Sequence, residues 1–257
     1  MLYIQTQVRK GTIMDRPAPR RSPIHGGYAR GDEKRLRIIE AALRRFGKEG
    51  YGRASTRQIA QDAGVNPPAL QYYFEGKEGL HLACAEYLAR RFGCAMQEAY
   101  ERSERVDQTD PAAVLDALCD IMDALANFLF GTAESDDWSR FMARGQSEDG
   151  DEPAYCMFRK MIKEQLHVHC ARLVGLLIGL SPSDAYTRLQ ALSILGQLTV
   201  FHLARSSALD RLGWPDLRGP RLQLLKDMIR AQTRAILMRD PDIRRLDVRS
   251  QDIRHHP

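Results

Sequence analysis

Long apolar runs are missing from this 257-residue sequence. The longest convincing one, Leu173 to Leu180, falls far short of the ~20 residues a helix needs to cross a bilayer, so no membrane association is expected. The N-terminus has neither an apolar core nor a small-residue cleavage site, so no secretory leader is expected and a cytoplasmic location is. Cysteine is sparse: Cys84, Cys94, Cys119, Cys156 and Cys170 are odd in number, scattered, and never spaced C-x-x-C, which suits unpaired thiols in a reducing compartment. Alternating strand patterns and fixed-period repeats are absent. So are a phosphate-binding glycine loop, an H-E-x-x-H pair and a Ser/His/Asp arrangement. His167 and His169, two residues apart, point to different faces of a helix, and Cys170 beside them does not complete a tetrahedral metal site. No catalytic residue, cofactor or metal is therefore expected.

What is present is helix and an uneven charge. Hydrophobic residues make up 44% and charged residues 28%, the balance of a globular, soluble chain. Residues 1–80 hold 15 Lys and Arg against 8 Asp and Glu, a net +7, while the remainder holds 23 against 25, a net −2. One end of the molecule is therefore built to meet a polyanion. Residues 1–30, rich in Pro, Gly and Arg, read as a disordered basic arm whose Arg16, Arg20, Arg21 and Arg30 either touch phosphates or are simply solvated. The first helix is expected from Asp32, as cap, to Lys48, with Leu36, Ile39, Leu43 and Phe46 on its core face.

Between Arg53 and Leu80 the pattern tightens. Ser55 or Thr56 caps a short helix whose inner face is Ile59, Ala60 and Ala63, and Gly64 ends it at a turn that needs positive φ. Asn66 caps a second helix; Pro67 and Pro68 fit its first turn, and Leu70 and Phe74 point inward. This is a helix-turn-helix. Gly64-Val65-Asn66, then Leu70-Gln71-Tyr72-Tyr73-Phe74, then Lys77-Glu78 and Leu80 closely resemble the TetR family of bacterial transcriptional regulators over about Lys34 to Ala89. The resemblance implies contacts with double-stranded DNA. Lys77, at a helix start that also favours anions, and Tyr73 match the family's phosphate-contacting positions, with Tyr72 a second candidate. Thr56 and Arg57 stand where the family touches the backbone. Gln71 is the one exposed side chain suited to adenine, and Pro68 and Ala69 can touch thymine methyls. Where the family often has Lys or Arg followed by Gly, this chain has Pro67 and Pro68.

Beyond residue 81 the chain stays helical to about residue 240, with a charged tail over 241–257. The expected pieces are a helix from Gly76 to Glu104, one from Pro111 through Leu129, and a short segment with Trp138, Phe141 and Met142. After the acidic loop Ser147–Pro153 come a long helix, another from Ser183 to Leu212, and a last one from Pro220 to Met238. The segment around Phe141 to Arg144 and the run from Gly196 to Trp214 are similar to the CecR-like subgroup. The expected fold is thus all-α: a three-helix head over 31–80 and a larger effector-binding and dimerisation domain over 81–240. A small, largely apolar effector is expected among Phe128, Trp138, Phe141, Met142, Met157, Phe158 and Met161, which could equally fill a core, with Arg144 and His202 as polar anchors. By family implication the last two long helices pair across a homodimer that reads a pseudo-palindromic operator, most often as a repressor. Two alternatives stay open: a nonspecific architectural DNA-binding protein, and a helical enzyme or carrier with a vestigial head.

Overall fold

The computed structural model of the chain describes residues 25–145 and 153–238, with side chains over 31–144 and 165–238. Among the described residues there are ten α-helices and no strand. The tail and most of the arm lie outside them. Helix α1 runs His25–Glu49, seven residues further toward the N-terminus than the sequence pattern suggests, so Asp32 sits inside it rather than capping it. The physical reason is that Gly26 and Gly27 only weaken a helix, at about 1 kcal/mol each against Ala. The last residue that a helix interior excludes is Pro23. Ile38, Ile39, Ala42, Leu43 and Phe46 form the buried stripe of α1.

Helices α2 (Thr56–Asp62) and α3 (Pro67–Phe74) make the turn motif. Gly64 turns at φ +65, which lets the Val65 N–H reach back to the Ala60 carbonyl at 2.9 Å. Ser55 and Asn66 occupy the N-cap positions without a side-chain cap bond. Leu70 and Phe74 are buried, and α3 packs on α2 and α4. The turn out of α3 passes through Glu75 at φ 57 and Gly76 at φ 128. Helix α4 (Lys77–Glu104) starts so close to that turn that a Cβ on Gly79 would stand 2.0 Å from the Phe74 carbonyl oxygen.

Helix α4 runs from the head into the body, burying Leu80, Cys84, Leu88, Phe92 and Met96 along one side. Helix α5 (Pro111–Phe130) is capped by Asp110, which accepts from the Ala112 N–H at 2.9 Å, and is buried on most of its surface. The short segment after it is a full helix, α6 (Glu134–Gly145). Helix α7 (Pro153–Ile178) packs on α4 and α5. The expected helix over 183–212 is two: α8 (Ala185–Leu203) and α9 (Arg205–Leu212), broken at Ala204 with φ −109 and ψ 34. No Pro or Gly marks this break. It follows from tertiary contacts, because Arg205 lies over the Phe130 ring at 5.4 Å and pairs with Asp136 at 2.6 Å.

Helix α10 (Pro220–Met238) lies along α5, joined by ion pairs from Arg230 to Asp120 at 3.0 Å and Asp123 at 3.1 Å, and from Arg234 to Asp116. A single cluster of buried apolar residues runs from Ile38 in the head to Ile229 in α10. Head and body therefore share one core. No helix among the described residues is long and apolar enough to cross a membrane.

Candidate DNA-binding face and effector cavities

The head presents α3 outward because its two large inward residues are consumed by the core. Burying Leu70 and Phe74 leaves Pro67, Pro68, Gln71 and Tyr72 exposed on the opposite face and Ala69 half-buried at its edge. Gln71 sits at the end of this face, its Oε1 3.8 Å from where a Gly76 Cβ would be. Tyr72 is 83% exposed, while Tyr73 is half-buried against the core, its ring 6.2 Å from Phe74. The order of exposure is the reverse of the weight the family match gives the two tyrosines. Thr56 opens α2 half-buried and Arg57 is exposed beside it. Lys77 opens α4; its Nζ donates to the Gly52 carbonyl at 3.1 Å and lies 4.7 Å from the centre of the Tyr51 ring. That contact holds the ammonium at the edge of the face, and two of its three N–H donors are left for an anion.

The face is joined to the body at an aromatic knot. His81 of α4 meets Phe46 at 4.8 Å, Tyr51 at 4.7 Å and Phe141 of α6 at 5.1 Å. Burial, assisted by the charge of Lys77, pulls the His81 pKa down to about 4, so the imidazole is neutral at physiological pH. Arg144, at the end of α6, donates to the carbonyls of Gly47 and Lys48 at 2.8 Å each, satisfying the last turn of α1. A Cβ on Gly47 would lie 3.1 Å from the Asp137 carbonyl oxygen, so α1 and α6 touch nearly backbone to backbone. Two residues expected in an effector pocket, Phe141 and Arg144, are thus placed at the head–body junction, and neither lines the three cavities described below. Both lie on one side of α6 that the head covers.

Three cavities surround α6. An open groove of about 1100 Å³ runs between α1, α4 and α5, with Arg35, Tyr87, Arg90, Arg91, Phe128 and Trp138 among its walls. A half-open, mostly apolar cavity of about 140 Å³ lies in the body, lined by Phe92, Leu125, Phe128, Met142, Leu166 and His202, among others. A polar cleft of about 370 Å³ opens at the α8–α9 break, where Asp136 holds Arg205 at 2.6 Å and Arg218 at 2.5 Å. Of the expected effector residues, Phe128 and Met142 line the apolar cavity, Trp138 the open groove, and His202 both the cavity and the cleft. Burial takes the His202 pKa down to about 4, with Arg205 adding to the shift. The side chains of Met157, Phe158 and Met161 lie outside those described.

The groove arginines escaped the sequence reading; the adjacent pair Arg90-Arg91 beside Tyr87 was the available signal. Among the described residues no group of His, Cys, Asp and Glu could hold a metal. His169 stacks on Tyr100 at 4.1 Å and meets the Ser103 hydroxyl at 3.2 Å, a packed pair at the far end of α4. Cys84, Cys119 and Cys170 are buried free thiols, which burial pushes to higher pKa, and Cys94 is exposed.

Residues 38–84 match the family model of bacterial regulatory proteins of the tetR family, and residues 114–238 match that of the C-terminal domain of the HTH-type transcriptional dual regulator CecR. The HTH-type transcriptional dual regulator CecR of Shigella flexneri is 30% identical over 213 residues, spanning 81% of this chain and 93% of that relative. A TetR-like transcriptional regulator from Rhodococcus sp. RHA1 has the same fold, with a TM-score of 0.59 and 16% identity over 80% of this chain and 97% of that one. AibR, solved in complex with isovaleryl coenzyme A and operator DNA, superposes with a TM-score of 0.57 and 16% identity over 77% of this chain and 97% of that one. With a head that matches the tetR family model and a body that matches the CecR C-terminal domain, the chain belongs to the TetR family of bacterial transcriptional regulators: a DNA-binding regulator, not an enzyme.

Proposed function

We propose that this regulator is a homodimeric repressor of a pseudo-palindromic operator, released when a small molecule occupies the body. The observation that carries the release is the position of α6. One side of that helix faces the cavities through Trp138 and Met142, and the other grips the head through Phe141 and Arg144. A ligand that shifts α6 shifts the end of α1 and the start of α4 together, and with them α3. The helix carrying the signal is then α6 together with α4, not α4 alone. Such a ligand must bind the two arrangements with different affinity, or nothing moves. On the DNA, Lys77, Thr56, Arg57, Tyr72 and Tyr73 serve phosphates, and Gln71, with Pro68 and Ala69, serves base edges.

Support for the dimer comes from an apolar stripe that the protomer leaves in water. Leu189, Leu192, Val200 and Leu203 of α8 are 48–63% exposed and follow each other at helical spacing, with Leu224 and Met228 exposed on α10. Gly196, within the α8 stripe, has nothing within 4 Å of its Cβ position, leaving room for a close partner. Binding selection on random duplexes, with sequencing of the survivors, tests the whole reading. The expected outcome is an inverted repeat whose half-sites lie roughly 34–36 Å apart or a multiple of that. Survivors with no common sequence would favour the architectural alternative instead.

A further inference from the structure

Several arginines of this molecule hold acids. Arg102 holds Asp120 at 3.2 Å and Glu98 at 3.8 Å, Arg230 holds Asp120 and Asp123, and Arg205 and Arg218 share Asp136. Arg35 of α1 and Arg90 and Arg91 of α4 line the open groove, and none of them joins an ion pair among the described residues. The acids lining that groove gather mainly at its other end, where Arg102, Lys226 and Arg230 neutralise Glu98, Asp120 and Asp123; Asp32 also lines it, and Glu134 and Glu40 lie close to Arg91 and Tyr87. The α1–α4 end of the groove is therefore lined by three arginines, with the Arg35 guanidinium 5.3 Å from the Phe74 ring.

This site is connected to the apolar cavity by aromatic rings. The Arg91 guanidinium lies 5.2 Å from the centre of the Trp138 ring, and Tyr87 meets Trp138 edge-on at 6.2 Å. Trp138 in turn meets Phe128 at 5.8 Å. Phe128 is the wall common to the groove and the apolar cavity. Behind it, Phe92, Leu125, Met142, Leu166 and Leu198 line about 140 Å³, room for roughly five water-sized groups at about 30 Å³ each.

We propose that groove and cavity are two halves of one site for an amphipathic anion. A phosphate- or carboxylate-bearing head sits on Arg35, Arg90 and Arg91, and an apolar tail of a few carbons turns the Phe128 ring aside and enters the cavity. Arginine supplies paired donors for such a head, and the apolar lining supplies the driving force for the tail. Arg35 belongs to the head domain and Arg90 and Arg91 to the body's end of α4, so the anion draws α1 toward α4 as it binds. Only this last consequence rests on the release mechanism proposed above; binding itself does not.

The test is isothermal titration calorimetry of the full chain with ethyl, butyl and hexyl phosphate, with hexanol and inorganic phosphate as the separate halves. Hexyl phosphate is expected to bind most tightly, with affinity rising severalfold for each added methylene until the cavity is full. The double variant Arg90→Gln, Arg91→Gln is expected to weaken hexyl phosphate at least tenfold and leave hexanol unchanged, with its melting temperature checked against the wild type. Hexanol binding as tightly as hexyl phosphate, an unchanged affinity in the arginine variant, chain-length independence, or no heat with any probe would each overturn the proposal. A parallel operator titration separates the two ideas. Hexyl phosphate that binds as expected yet leaves operator affinity unchanged upholds the site and overturns the release mechanism.

Discussion

In the proposed complex Lys77 and Gln71 divide two tasks that DNA recognition keeps apart. The Lys77 ammonium, at the edge of the face, is steadied by the Gly52 carbonyl and the Tyr51 ring, and the proposed phosphate contact would carry no sequence information. Lys77→Ala should weaken binding to every sequence alike and reduce the salt slope by roughly one unit, read from titrations over a range of salt; an unchanged slope would show that Lys77 meets no phosphate. Gln71→Ala should instead relax preference at one base pair per half-site, at about 1–3 kcal/mol, and a full base-substitution series shows whether it does. His81 gives a prediction about pH. Its folded pKa of about 4 lies below the unfolded value of about 6.5, so between these the unfolded chain binds more protons. Stability should be complete above about pH 6.5 and fall on acidification toward pH 4, by up to about 1.4 kcal/mol per pH unit for this residue. His202, displaced the same way, adds to the slope. Melting temperatures of wild type and His81→Gln across pH 4–7 should diverge, with the variant less sensitive to acid.

At the scale of elements, the head works only if α3 is held at a fixed angle by the start of α4. Gly79 permits this, since any Cβ there would collide with the Phe74 carbonyl oxygen, a backbone atom that cannot swing away. Gly79→Ala should cost about 1–3 kcal/mol by overpacking and should reduce operator affinity more than surface alanine substitutions on α3 do. Chemical denaturation and a gel-shift titration check the two effects, and unchanged operator affinity would mean that the α3–α4 angle tolerates adjustment. Helix α6 is the corresponding element on the body side. Its contacts with α1 combine a close backbone approach at Gly47 with the two hydrogen bonds from Arg144.

For the whole molecule the decisive quantity is the apolar surface left outside the protomer. Large side chains on α8 and α10 lie in water along helical stripes, next to the buried apolar core. Leu192→Glu should place a charge in the middle of the joined stripe, dissociate the dimer and abolish operator binding together. Sedimentation of wild type and variant at micromolar concentration, beside a DNA titration, checks both. A monomeric wild type that still binds operator tightly would remove the two-fold arrangement altogether.

The sequence by itself determined the helices and the turn motif, because these are written in local chemistry. Positive φ at Gly64, prolines confined to the first turn of α3, and the four-residue spacing of Leu70 and Phe74 each leave one acceptable conformation. It also determined the basic head, since charge adds along a chain regardless of packing. Tertiary structure alone decided the rest. No local signal breaks the chain at Ala204; the pull of Asp136 and Phe130 on Arg205 does. Nothing in the run Phe141 to Arg144 distinguishes a cavity wall from a junction, because which face of α6 meets α1 depends on the approach at Gly47, nearly a hundred residues earlier. The unpaired state of Arg90 and Arg91 was equally hidden, as it is a matter of which acids other arginines reach first.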